Sequence, residues 1–96
     1  MKITKEINGG EMKVVLEGRL DTITSPELEK ALVLDGVERL VVDLAGVEYV
    51  SSAGLRVFLS AHKRMSKAGG LRLEGLRPVV REVFDITGFS DIFEIA

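Results

Sequence analysis

Two adjacent hydroxyls, Ser51 and Ser52, lie between a short apolar run and the amphipathic stretch that begins Ala53-Gly54-Leu55. A serine at the mouth of a helix meets unpaired backbone N–H groups and the positive end of the helix dipole. Such a position carries a phosphate well, or is read by a partner that checks for one. It is also where an N-cap belongs, the hydroxyl satisfying an orphan amide for about 1 kcal/mol. The two readings of Ser52 are compatible, because a capping hydroxyl already sits where a phosphate is tolerated. Acid–base chemistry is the competing possibility. Asp21 follows the second expected strand and Asp43 ends the third, which would bring two carboxylates near Ser52 at one end of a sheet. Carboxylates so placed more often cap turns or bind backbone amides, and no histidine is spaced to serve the serine as a base. The single histidine, His62, falls among apolar neighbours on a helix and reads as a half-buried packing residue, with no second ligand spaced to join it.

The elements that must position these residues alternate between strand and helix. Residues 2–7 and 12–17 read as strands of a hairpin turned by Asn8-Gly9-Gly10. In the second of them Val14 and Leu16 alternate with Lys13, Val15 and Glu17. Thr24 or Ser25 is placed to cap a helix with Pro26 in its first turn, and Glu27 would complete a capping box with Thr24. Leu28, Ala31 and Leu32 form its apolar face, and Asp35-Gly36 ends the segment. Residues 39–44 are a short apolar strand, buried on both faces and followed by a short turn. A second helix over 52–67 turns Leu55, Phe58, Leu59, His62 and Met65 inward, leaves Arg56, Lys63, Arg64 and Lys67 in solvent, and stops at Ala68-Gly69-Gly70. Leu71 to Glu74 is another strand. A third helix runs from about Pro78 to Thr87 and buries Val80, Val83 and Phe84 before Gly88 breaks it, and Ile92 to Ile95 forms an edge strand or a packed tail. The order predicts one α/β domain over residues 1–96: a mixed four- to five-stranded sheet with helices packed mainly on one face.

Composition removes several function classes. A chain of 96 residues supports one modest core, too small for an active-site cleft between lobes. No apolar run reaches the roughly 18 residues of a membrane span. With no cysteine, disulfides, thiolate chemistry and cysteine-ligated zinc are excluded, which is compatible with a cytosolic location. Thirteen basic against fifteen acidic residues give a net charge of −2, without the basic footprint of a nucleic-acid binder. Gly9-Gly10 and Gly69-Gly70 belong to neither a P-loop nor a dinucleotide fingerprint. No catalytic residue, metal or cofactor is therefore expected, and the finely mixed surface makes a monomer the default.

The run from Asp43 to Leu55 resembles the signature of the STAS domain, and within it the bacterial anti-sigma factor antagonists: a strand ending in Asp, a short apolar turn, then Ser-x-Gly-Leu opening a helix. Asp43, Val50, Ser52, Gly54 and Leu55 fall on that pattern, and Gly18-Arg19-Leu20-Asp21 matches a second family motif. The resemblance implies that Ser52 is phosphorylated by a partner kinase. Ser51 competes as acceptor, because it stands where many members carry an acid. The implied partner is an anti-sigma factor with ATP-dependent serine kinase activity, with a phosphatase to reverse the mark and ATP held by the kinase. A cytoplasmic bacterial regulator without enzymatic activity of its own is the implied setting. The expected contact surface is Ser51, Ser52, Ala53, Gly54, Leu55 and Arg56, with Asp21, Thr22, Ile23 and Thr24 as its rim. Gly54 would either let a partner approach closely or close the packing of helix on sheet. A STAS scaffold serving a different client, in signalling or lipid transport, is the alternative in which Ser52 is only a cap.

Overall fold

The computed structural model describes residues 1–96. Its strands are β1 (Lys2–Asn8), β2 (Glu11–Leu20), β3 (Arg39–Val50), β4 (Leu71–Glu74) and β5 (Glu94–Ile95). The helices are α1 (Ser25–Ala31), α2 (Ser52–Met65) and α3 (Pro78–Ile86), with a 3-10 turn over Phe89–Asp91. The strands form one sheet in the order β1-β2-β3-β4-β5, antiparallel between β1 and β2 and parallel thereafter. Three parallel steps require three crossovers, and each is made by a helix. The mixed α/β layer of four to five strands expected from the sequence is observed, with five strands.

Alternation in β2 works as read. Met12, Val14, Leu16 and Leu20 are buried, and they meet Leu40, Val42 and Leu44 of β3, Leu71 and Leu73 of β4, and the apolar sides of the helices. Phe58 of α2 and Phe84 of α3 are fully buried, their rings 6.2 Å apart, so the two helices share one core against the sheet. Val83, expected inside, is half-buried. The opposite face of the sheet has no helix over it. There Val41 is still only 3% exposed, because Lys13 and Arg72 flank it in register and their stems lie across the sheet. Ion pairs of Lys13 and Arg72 with Glu74, and of Arg39 with Glu11 and Glu94, finish this face.

Three expectations are corrected. The strand read as 39–44 continues to Val50. Ala45-Gly46 looks like a turn, but two register irregularities against β2 absorb the surplus residues, the first where Val15 faces Asp43 and Glu17 faces Gly46. The Asp43 carboxylate accepts the Ala45 N–H at 2.9 Å and fixes that bulge. Asp43 therefore lies mid-strand opposite Glu74, not at the strand end. Helix α1 stops at Ala31 rather than at Asp35-Gly36, and Leu32, Leu34 and Val37 pack on the core from a non-helical link. Thr24 occupies the cap position of α1 without capping it, and no capping box forms with Glu27. Its hydroxyl is drawn instead to the preceding loop.

Candidate functional site

The bulged β2–β3 ribbon runs past the end of β4 and delivers two segments to the same end of the sheet. Leu20 pairs with Val50, and the Ser51 N–H donates to the Leu20 carbonyl at 2.8 Å. That bond fixes the start of α2 against the loop that leaves β2.

Ser51, not Ser52, is the N-cap. Its backbone is extended (φ −91°, ψ 172°), and its Oγ accepts the Gly54 N–H at 3.4 Å. Ser52 is the first helical residue and is exposed, whereas Ser51 is half-buried. The expectation that Ser52 serves as the cap is corrected by one residue. The correction matters for chemistry, because the capping hydroxyl is occupied and the neighbouring one is free. The first turn of α2 has no acidic residue, and Arg56 follows Ser52 one turn later. Replacing Ser51 by Ala should lower stability by about 0.5–1 kcal/mol in denaturant titrations, the low end for a cap given the long bond.

Asp21 organises the neighbouring loop. Its Oδ1 accepts the N–H groups of Ile23 (2.9 Å) and Thr24 (3.0 Å). In return the Thr24 hydroxyl accepts the Asp21 N–H at 2.9 Å and donates to the Arg19 carbonyl at 2.7 Å. The Ser25 hydroxyl donates to the Asp21 carbonyl, and Ser25 is the one buried polar side chain. The Thr24 amide, joined by that of Ile23, the Thr24 hydroxyl and the Arg19 charge, holds the Asp21 carboxyl below its ordinary value against an opposing desolvation effect. A depressed folded-state pKa gives stability that is complete above the unfolded pKa and is lost as pH falls through the folded one. Acid denaturation followed by circular dichroism should therefore show a contribution in this window that Asp21→Asn removes.

Of the residues expected at the contact surface, the structure brings the Asp21–Thr24 loop and the Ser51–Arg56 turn together. Thr22, Pro26 and Glu29 face Ala53, Arg56 and Val57 across a depression of about 320 Å³ between α1 and α2. Within the turn, Gly54 and Leu55 point inward, so only Ser52 and Arg56 are exposed, with Ser51 and Ala53 partly so. A Cβ on Gly54 would lie 2.7 Å from Leu20 Cγ, which decides between its two readings in favour of helix–sheet packing. Asp43 does not join the site; it serves the bulge, so two carboxylates do not converge on Ser52. No three His, Asp or Glu side chains are grouped to hold a metal.

Sequence reasoning placed Arg19 in a motif but missed its pairing with Tyr49, and it missed Glu29. The Arg19 guanidinium lies 4.4 Å over the Tyr49 ring at the far end of the ribbon, and its carbonyl anchors Thr24. No local pattern announces that pair, because the second bulge sets its register. His62 packs edge-on to Phe93 with ring centroids 5.5 Å apart, as expected of a packing residue.

Comparison with known proteins gives one consistent result. The sequence pattern of the STAS domain matches residues 2–96. BtrV of Bordetella bronchiseptica, whose name assigns it provisionally to the anti-sigma factor antagonists, is 40% identical over 100 residues, covering 100% of this chain and 86% of its own length. The anti-sigma-B factor antagonist of Bacillus subtilis is 36% identical over 92 residues, covering 93% of this chain and 84% of its own. The crystal structure of an anti-sigma factor antagonist from Mycobacterium paratuberculosis superposes with a TM-score of 0.88 at 29% identity, over 98% of this chain and 83% of that one.

Proposed function

This chain belongs to the STAS domain family, and from that premise we propose that it is a cytoplasmic anti-sigma factor antagonist switched by phosphorylation of Ser52. Unmodified, it binds an anti-sigma factor that is also an ATP-dependent serine kinase, and the sigma factor held by that protein is freed. The kinase then ends the interaction by modifying the chain. Ser52 Oγ attacks the γ-phosphorus of kinase-bound ATP, the bond to the β,γ-bridging oxygen breaks, ADP leaves and the hydroxyl proton passes to a base on the kinase. Hydrolysis of the phosphoester by a phosphatase restores the binding form.

The observation that carries this reading is the free, exposed Ser52 hydroxyl on the first turn of α2, beside a half-buried Ser51 already engaged as the cap. A phosphate there adds about −1.5 to −2 of charge at the positive end of a helix dipole, so the fold tolerates it. Its cost falls on the complex, where the new charge must be desolvated against the partner. Incubation with a purified anti-sigma factor serine kinase and ATP, followed by mass mapping, tests the assignment. All phosphate should lie on Ser52 and incorporation should vanish in Ser52→Ala. Phosphate on Ser51 alone, with Ser52→Ala modified normally, contradicts it.

A further inference from the structure

We infer that β1 is a docking edge for a second copy of this chain, the two β1 strands pairing antiparallel about a two-fold axis at Thr4. The inference is independent of the antagonist reading. The sheet has two edges, β1 and β5. β5 has only two residues, Glu94–Ile95, too short to template a partner strand. β1 runs for seven residues without proline, in unbroken register with β2. Lysine often blocks such an edge, but Lys5 folds back and donates its Nζ to the Ala31 carbonyl at 3.0 Å. The backbone groups that face outward follow from the hairpin. Asn8 and Glu11 close the two-residue Gly9-Gly10 turn and so exchange both their bonds. In keeping with this, the Gly10 carbonyl turns the other way, to β3, and accepts the Arg39 N–H at 3.2 Å. Lys2, Thr4, Glu6 and Asn8 therefore bond toward β2, and Ile3, Lys5 and Ile7 offer their N–H and C=O groups to a new neighbour.

Charge selects the occupant and the register. A symmetric antiparallel pairing must set outward groups against outward groups, so its axis falls at a residue: Ile3, Thr4, Lys5 or Glu6. An axis at Lys5 opposes Lys5 to its own copy, and an axis at Glu6 does the same to Glu6. An axis at Ile3 uses only the first part of the strand and pairs no opposite charges. An axis at Thr4 uses the whole strand and sets Lys2 of each copy opposite Glu6 of the other, on the open face of the sheet. Both charges are available. Glu6 faces Lys13, whose ammonium goes to Glu74 at 3.5 Å, and Lys2 makes only an exposed 3.8 Å contact with Glu17. On the other face the same register brings Met1 of one copy beside Ile7 of the other. Ile7 is 70% exposed and, with Val33, lines a depression of about 290 Å³ between the hairpin and the link after α1. No residue of the Asp21 loop or the Ser52 turn lies on β1. One edge buries less surface than a permanent interface, so the dimer forms with a Kd on the order of 100 µM, and the monomer expected from the mixed surface is the dilute form.

Sedimentation velocity of the purified chain from roughly 10 µM to 1 mM tests the inference, and wild type should pass from monomer to dimer across that range. Lys2→Glu gives a chain with acids at both positions and Glu6→Lys one with bases at both, so each variant alone should dimerise at least about tenfold more weakly. An equimolar mixture of the two should recover wild-type association, because every crossed pair again sets acid against base. Lys2 and Glu6 are exposed, so the variants keep the fold, which their far-ultraviolet circular dichroism checks. Amide hydrogen exchange of wild type gives a second readout. Raising the concentration should slow exchange at Ile3, Lys5 and Ile7 and leave Thr4 and Glu6, already bonded to β2, unchanged. A wild-type chain still monomeric at about 1 mM overturns the inference. So does a dimer as strong in either variant as in wild type, a mixture of folded variants that stays monomeric, or slowed exchange confined to residues outside β1.

Discussion

Ser52→Asp should bind the anti-sigma factor at least about a hundredfold more weakly than wild type, with an unchanged melting temperature. The two halves of this expectation come from the same geometry. Ser52 is the first residue of α2 and its side chain is exposed, so a carboxylate there is solvated and favourably oriented to the helix dipole. The folded chain gains a few tenths of a kcal/mol or is unaffected. In the complex the same carboxylate must shed water, and a loss of about 3 kcal/mol at an interface suffices for the hundredfold effect. Binding by calorimetry and melting by circular dichroism read the two halves separately. A variant that binds weakly because it is unfolded would show a fall in melting temperature, and that result would contradict a switch acting through local charge.

Gly54→Ala should destabilise the chain by about 1–3 kcal/mol, the cost of forcing a methyl group into a packed core. The added carbon would lie 2.7 and 2.8 Å from Leu20 Cγ and Cδ2 and 3.2 Å from Val50 Cγ1. Leu20 is fully buried and cannot retreat into solvent, so α2 must move off the ribbon. The opposite sign is a real alternative, since alanine replacing an unconstrained helical glycine stabilises by about 0.5–1 kcal/mol. For a domain of this size each kcal/mol shifts the melting temperature by about 4–8 °C, so the sign is easily read. A rise would mean that Gly54 leaves room for a partner instead of for Leu20. The consequence for function is indirect. Moving the start of α2 strains the bond from the Ser51 N–H to the Leu20 carbonyl, the contact that holds Ser52 beside the Asp21 loop.

Where one residue's chemistry decided the local conformation, the sequence could be read correctly. Met12, Val14 and Leu16 alternate because β2 has one face on the core, Gly9 (φ +64°) turns the hairpin, and Gly88 (φ +79°) stops α3. In α2 the period placed Leu55, Phe58 and Met65 inside correctly, whereas Leu59 and His62 are half-buried and the buried Val57 and Ala61 were not read as inward. The failures lie where tertiary contacts outbid local preference. Thr24 sits at an N-cap position, yet Arg19 and Asp21 offer its hydroxyl better partners than its own helix does. Ala45-Gly46 would end a strand in isolation, but pairing with β2 carries β3 through two bulges to Val50. That single misreading also displaced Asp43 to the wrong place. At the site itself the motif located the Ser51–Ser52 pair, and only the geometry of the Gly54 amide distinguished the cap from the free hydroxyl.

Displacement of a sigma factor is the most direct test of the proposed activity. A preformed complex of a sigma factor with its anti-sigma factor kinase is titrated with this chain, and free sigma factor is measured by size-exclusion chromatography. The unmodified chain should release the sigma factor near stoichiometric addition, and chain phosphorylated on Ser52 should release none at the same concentration. Release by both forms would contradict the phospho-switch, and release by neither would contradict antagonism itself.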